Sequence, residues 1–335
     1  MTGFTGLGSL PGTDMPAALR MTFDLVPGLP YLPELPARGP WAAMIGRGLG
    51  LPDGLPAEYE AGEWRLSGAP GVDQRRARAT WRDDLDQLEE AAQGYAGPLK
   101  IQVAGPWTLA ASTGVAMTGR VLADPGARRD LAGAWAHGVA ETLESLRRRL
   151  PDVSPVLQVD EPSLPAVLAG AIPTPGGFFR HAALDLPEVV GHLATVGVEL
   201  SRRGLEVTTA VHCCAPGLPV AAMLRHGSDG AGFDAVSLDL SLLTHDDIDA
   251  LSQAVESGRN LWLGILPTDN PATVPGVDDL RRRVLAFVET LGVDVAGHLL
   301  VTPSCGLASF APKAASQAFR VLARVAAQVD EELGS

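Results

Sequence analysis

Eight short apolar runs, most of them followed by a stretch with helical periodicity, constrain this chain more than any other feature. They lie at about 5–10, 28–33, 98–103, 155–159, 206–211, 234–238, 260–265 and 298–302. Helical patterns follow at about 14–23, 73–93, 128–150, 185–203, 218–226, 277–291 and 312–331, and Thr244 with acids after it opens another. An apolar strand, a helix and then another apolar strand imply parallel pairing with both faces of the sheet covered. Eight such units predict an α/β fold, a single (β/α)8 TIM barrel over residues 1–335. A chain of 335 residues could hold two domains, but barrels reach this size as one. The second run is the weakest, because Pro30 and Pro33 do not suit a central strand. Residues 51–72 have no steady period and read as an elaborated loop or small hairpin.

Barrels of this kind build their sites where the strands end. Ser9, Glu34, Asp160, Glu161, His212, Cys214, Asp239, Asp269 and Cys305 all follow apolar runs. In Ala210-Val211-His212-Cys213-Cys214-Ala215-Pro216, alternation sends His212 and Cys214 to one side and Cys213 to the other. A single free cysteine is usually a small buried hydrophobe. Here a histidine and both outlying thiols stand at strand ends, which predicts zinc held by His212, Cys214, Asp239 and Cys305. An ion so rich in negative ligands is a poor Lewis acid for hydrolysis but can hold an incoming thiol as a thiolate.

Free acids nearby, namely Glu34, Asp160 and Glu161, suit the cationic amine of an amino-acid thiol. In Pro33-Glu34-Leu35-Pro36 the glutamate equally fits a solvated turn. Trp107, in Gly105-Pro106-Trp107-Thr108, would floor a substrate pocket or fill core space. His245 belongs with the Thr244 cap, and His137 reads as structural.

The charge balance narrows the partners. A formal net charge of −13 argues against nucleic acid and against an anionic membrane surface. No uncharged run is long enough to span a bilayer, and the first residues lack the basic start and apolar stretch of a secretory leader. Three cysteines without a disulfide framework suit a reducing cytoplasm, the expected location. There is no GxGxxG and no P-loop to support a nucleotide site.

At these residues the sequence resembles the catalytic domain of cobalamin-independent methionine synthase, within a superfamily that also holds uroporphyrinogen decarboxylase. Gly8-Ser9-Leu10-Pro11 is similar to that family's first-strand loop, Gly105-Pro106-Trp107-Thr108 to its Gly-Pro-x-Thr turn, and Asp160-Glu161-Pro162-Ser163-Leu164 to its Asp-Glu-Pro-Ala-Leu segment. His212-Cys213-Cys214 matches its His-x-Cys zinc pair, and Pro303-Ser304-Cys305-Gly306-Leu307 the segment with its last zinc cysteine. The resemblance implies a zinc-dependent methyltransferase of methionine biosynthesis: homocysteine, held as a zinc thiolate, takes a methyl group. The amino acid would be gripped by residues matching Ser9, Glu34 and Asp160.

Two departures from the family pattern modify this expectation. Asp239 stands for a glutamate ligand, one methylene shorter, and Asp269 stands where the family carries a general-acid histidine. Asp160 and Asp269 are therefore the acids expected at the reacting centre. Methyl transfer from a folate nitrogen needs a proton that an ordinary aspartate has already lost at neutral pH. The expected donor is accordingly one that needs none, such as methylcobalamin on a corrinoid partner protein. The rival readings are a zinc- or thiol-binding barrel without turnover, and a decarboxylase of the uroporphyrinogen type. The latter should present arginines to its substrate, and residues 8–14 contain none.

Overall fold

Alternation along each strand decides which side chains meet the helices and which fill the interior. The computed structural model describes residues 2–51, 55–115, 119–227 and 230–334. One parallel sheet has seven strands, in the order Gly3–Phe4, Leu299–Pro303, Asn260–Leu266, Ala235–Asp239, Thr208–Cys213, Val153–Asp160 and Gly97–Ala104. The second predicted strand is not a regular strand: residues 30–34 make only two isolated bridges, Ser9↔Glu34 and Tyr31↔Lys100. Prolines lack the N–H that a ladder needs, so pairing survives only between them. Lys100 N still donates to Pro30 O, Leu32 N to Lys100 O and Glu34 N to Gly8 O. This segment thus joins the first strand to Gly97–Ala104, and the curled sheet has the topology of a TIM-like barrel.

Leu99, Ile101 and Val103 lie in the main core beneath the helices, as do Leu157 with Val159, Val211 with Cys213, and Leu261 with Leu263. Their neighbours in sequence face the other way. Leu29, Val156, Ala210, Ala235 and Trp262, with Leu300 against them, form a separate apolar cluster in the barrel interior. Towards the strands' C-terminal ends the interior turns polar, with Lys100, Gln102, Gln158, Asp160, His212 and Ser237 all buried. Apolar filling below and polar side chains above place the chemistry at the C-terminal rim.

Helix starts follow local chemistry. Asp14 accepts from Ala17 N at 3.0 Å to cap Met15–Leu25, Asp124 accepts from Ala127 N at 2.8 Å to cap Pro125–Arg149, and Asp185 accepts from Glu188 N at 2.9 Å to cap Leu186–Arg202. Each has proline in its first turn, where a missing N–H does no harm. Thr244 and Asp247 form a capping box on His245–Glu256, so His245 does belong to a helix start. No helix among the described residues is long and apolar enough to cross a membrane.

The segment 51–72 is a hairpin, Ala57–Glu60 against Glu63–Leu66, apart from residues 52–54, which lie outside the described residues. Thr113–Val115 and Gly119–Arg120 extend it to a four-stranded sheet that the sequence reading did not anticipate. The fifth strand runs two residues later than its apolar run, over Thr208–Cys213, and pairs His212 with Asp160. His212 is therefore inside the ladder and not beyond it, which fixes its backbone against the neighbouring strand.

Candidate active site

Parallel pairing brings Ala104, Asp160 and His212 into one layer across three strands, with Ser237 opposite His212 on a fourth. Cys214 follows two residues after His212, on the same side. Cys305 arrives on the loop after Leu299–Pro303. One ligand atom from each of His212, Cys214 and Cys305 lies within 4.8 Å of the other two. The two sulfurs are 3.2 Å apart. Cys213 points into the main core, and its sulfur lies 3.5 Å from Ala215 O.

Electrostatics at this cluster divide the thiols. Contact with Cys214 and with the His212 imidazole draws the Cys305 thiol down to about 4, whereas Cys214, against Cys305 and partly desolvated, is pushed up. The pair thus carries a single proton more readily than two. Burial, helped by the nearby acids Glu161 and Asp160, raises Cys213 to about 12, so it stays a thiol. His212 Nδ1 lies 3.0 Å from Ser237 Oγ, which orients the ring and leaves Nε2 for another partner.

The donor set fits a zinc ion: one imidazole and two thiols converge, and catalytic zinc commonly has three protein ligands and one open position. Asp239 is not among the three converging residues. Its Oδ1 instead accepts from Ser241 N at 2.8 Å and Ser241 Oγ at 2.7 Å, capping the short turn Leu240–Leu242. An aspartate at a helical N-cap position satisfies its local backbone first, and this one does so.

Three predicted substrate residues gather on the adjoining strands. Ser9 bridges Glu34 and abuts the loop of Cys305: Leu307 N donates to Ser9 O at 2.8 Å. Gly306 lets the loop approach Ser9 closely: a Cβ there would stand 2.0 Å from Ser9 Oγ and would displace that hydroxyl. Asp160 is buried and accepts from Gln158 Nε2 at 2.7 Å. Burial raises it to about 7, with the His212 charge opposing. Burial raises Glu34 too, against Arg47 and Lys100.

Two other candidates serve the framework instead. Glu161 is fully buried at the N-terminus of Pro106–Ser112, where Oε1 accepts from Trp107 N at 2.9 Å and Oε2 from Thr108 N at 2.8 Å and Thr108 Oγ1 at 2.6 Å. Three of its roughly four acceptor sites are taken by the helix start, which leaves little for a substrate amine. Gly105 is required here, because a Cβ would collide with Glu161 Oε1. Trp107 donates Nε1 to Val189 O at 3.0 Å, stacks on His192 and is buried, so it fills core space and does not floor a pocket. Asp269 is exposed in the turn after Asn260–Leu266 and is not part of the cluster of ligand atoms.

Sequence reasoning missed Lys100, Gln102, Gln158 and Ser237. Their signal was present in lone polar residues at alternate positions of otherwise apolar runs, such as Lys100-Ile101-Gln102. In a strand buried on both faces such residues require partners.

A family model described as "Cobalamin-independent synthase, Catalytic domain" matches residues 100–328. No curated protein matches the sequence. Among solved structures, a B12-independent methionine synthase from Shewanella sp. W3-18-1, in complex with selenomethionine, superposes with a TM-score of 0.62 over 99% of each chain, at 15% identity. That likeness supports the fold. Methylaspartate ammonia lyase from Citrobacter amalonaticus gives a TM-score of 0.49 at 15% identity, covering 98% of this chain and 59% of its own, too loose to bear on function.

Proposed function

The chain belongs to the family of cobalamin-independent synthase catalytic domains, and from that premise we propose that it methylates the sulfur of a homocysteine-like amino-acid thiol to give methionine. Residues 1–335 are read as one catalytic barrel. The observation that best supports this reading is the convergence of His212, Cys214 and Cys305 beside Ser9, Glu34 and Asp160. A sulfur site and an amine site then share one rim.

Zinc, when bound by His212, Cys214 and Cys305, would supply the positive charge that keeps a substrate thiol deprotonated at neutral pH. The chain's own residues do the rest. Ser237 holds the His212 ring with Nε2 free. Asp160 and Glu34 are acceptor-only when ionised and would receive a cationic amine, with the Ser9 hydroxyl beside the Cys305 loop. Their burial excludes competing water and strengthens the attraction.

The word cobalamin-independent, in the family's description, gives a corrinoid partner no support, and with it goes the expectation of methylcobalamin. A methyl-bearing folate is the donor this reading adopts. Its departing nitrogen needs a proton, which water at the exposed rim would supply, with Asp269 orienting that water.

Purified protein is to be assayed for zinc, then for methionine formation from L-homocysteine with methyltetrahydrofolate and, separately, methylcobalamin. Turnover with the folate is expected. Turnover with methylcobalamin alone would restore the corrinoid donor, and zinc without turnover from either would leave a binding barrel.

A further inference from the structure

Lys100 sits in the strand Gly97–Ala104 with no exposure at all. An ammonium in such a place needs acceptors, and it has them: Gln158 Oε1 at 2.8 Å, Gln102 Oε1 at 3.4 Å, and the face of Tyr31, whose centroid is 4.7 Å away. Ammonium groups only donate, so both glutamine oxygens must turn towards it. Both amide nitrogens therefore turn away. Gln158 Nε2 donates to Asp160 Oδ1 at 2.7 Å and to Leu7 O at 2.9 Å. Gln102 Nε2 donates to Leu32 O at 2.8 Å and reaches Glu34 Oε1 at 3.5 Å. One buried cation thus orders a two-armed chain, Glu34–Gln102–Lys100–Gln158–Asp160, in which every donor meets an acceptor. The backbone anchors, Leu7 and Leu32, lie in the segments that carry Ser9 and Glu34.

We propose that Lys100 is a positioning residue for the amine end of the substrate: it fixes the two amides and through them aims Glu34 and Asp160 at one ammonium group. The inference rests on the functional reading above and adds what that reading lacks, a reason why two buried carboxylates hold one geometry before substrate arrives. Lys100 supplies positive charge from below, where the substrate cannot reach, and the substrate's amine supplies it from above. Burial draws the lysine down to about 7, with Asp160 and Glu34 opposing, so its charge depends on those two carboxylates. Without the ammonium both amide oxygens lose their donor, and the amides are held from one side only, by Leu7 O and Leu32 O, so their grip on the two carboxylates loosens.

A role confined to stability would not distinguish substrates with an amine from those without one. The test compares L-homocysteine with 4-mercaptobutanoate, the same thiol acid lacking the amine, in wild type and Lys100→Met, with zinc content measured in both. For the variant, KM for homocysteine is expected to rise about 10-fold or more with kcat changed little, while KM for 4-mercaptobutanoate and zinc content stay put. An equal change for both thiols, or loss of zinc, would overturn the inference. Where Lys100→Met does not fold, Gln158→Leu and Gln102→Leu each cut one arm. A smaller loss specific to the amine is expected from each, and unchanged discrimination in both overturns the inference. If the wild type neither binds nor methylates homocysteine, the functional reading falls and takes this inference with it. A working wild type with unaltered discrimination in the variants defeats the inference alone.

Discussion

The sulfurs of Cys214 and Cys305, 91 residues apart in the chain, lie 3.2 Å from one another. Two thiols so close can share a metal or, without one, an oxidant. A disulfide needs a separation of about 2.05 Å, reachable by small side-chain shifts. Zinc-free protein treated with a mild two-electron oxidant such as diamide is expected to fall from three titratable thiols, in denaturant, to one. The survivor would be Cys213, held in the core. Zinc-loaded protein should keep all three, and loss of thiols at equal rates in both forms would contradict a shared metal.

Ser237 orients the His212 ring through the 3.0 Å contact between Oγ and Nδ1. Partners of this kind typically contribute about 10–100-fold in metal affinity. Ser237→Ala should weaken zinc binding by that order in a chelator competition, with little change in thermal stability of the zinc-free protein. An unchanged affinity would mean that the ring is held by its strand alone.

Glu161 sets burial against three hydrogen-bond donors, and burial prevails, raising the carboxyl from 4.5 to about 7. The folded state then keeps a proton that the unfolded chain releases. The stability contributed by this group is fully present below pH 4.5 and is lost as pH rises through about 7. Glu161→Gln removes the titration, so the stability advantage of wild type over variant should shrink between pH 5 and pH 7 in denaturant melts. An advantage that grows instead would show a carboxylate ionised in the fold, with the three donors dominant.

Much of the barrel was legible because its strands are largely apolar runs and several helices begin with aspartate or threonine caps, as at Asp14, Asp185 and Thr244. His212 and Cys214 were legible for a similar reason: strand period places residues two apart on one side. What stayed hidden depended on contacts distant in sequence. The helix Met44–Gly50 holds three glycines in seven residues, a poor helix by propensity. It forms because close packing favours small residues: a Cβ on Gly48 would stand 2.9 Å from Leu109. Asp239 was placed rightly at a strand end, yet no pattern reveals that its carboxylate turns to Ser241. Lys100 and Gln158 looked like flaws in apolar runs until parallel pairing set them side by side.

Zinc analysis of wild type, Cys214→Ser and Cys305→Ser, with X-ray absorption at the zinc edge of the wild type, tests the shared metal site most directly. About one zinc per chain is expected, coordinated by two sulfurs and an imidazole nitrogen, with the metal lost in both variants. A wild type that takes up no zinc, or variants that both retain it, would contradict the site built from His212, Cys214 and Cys305.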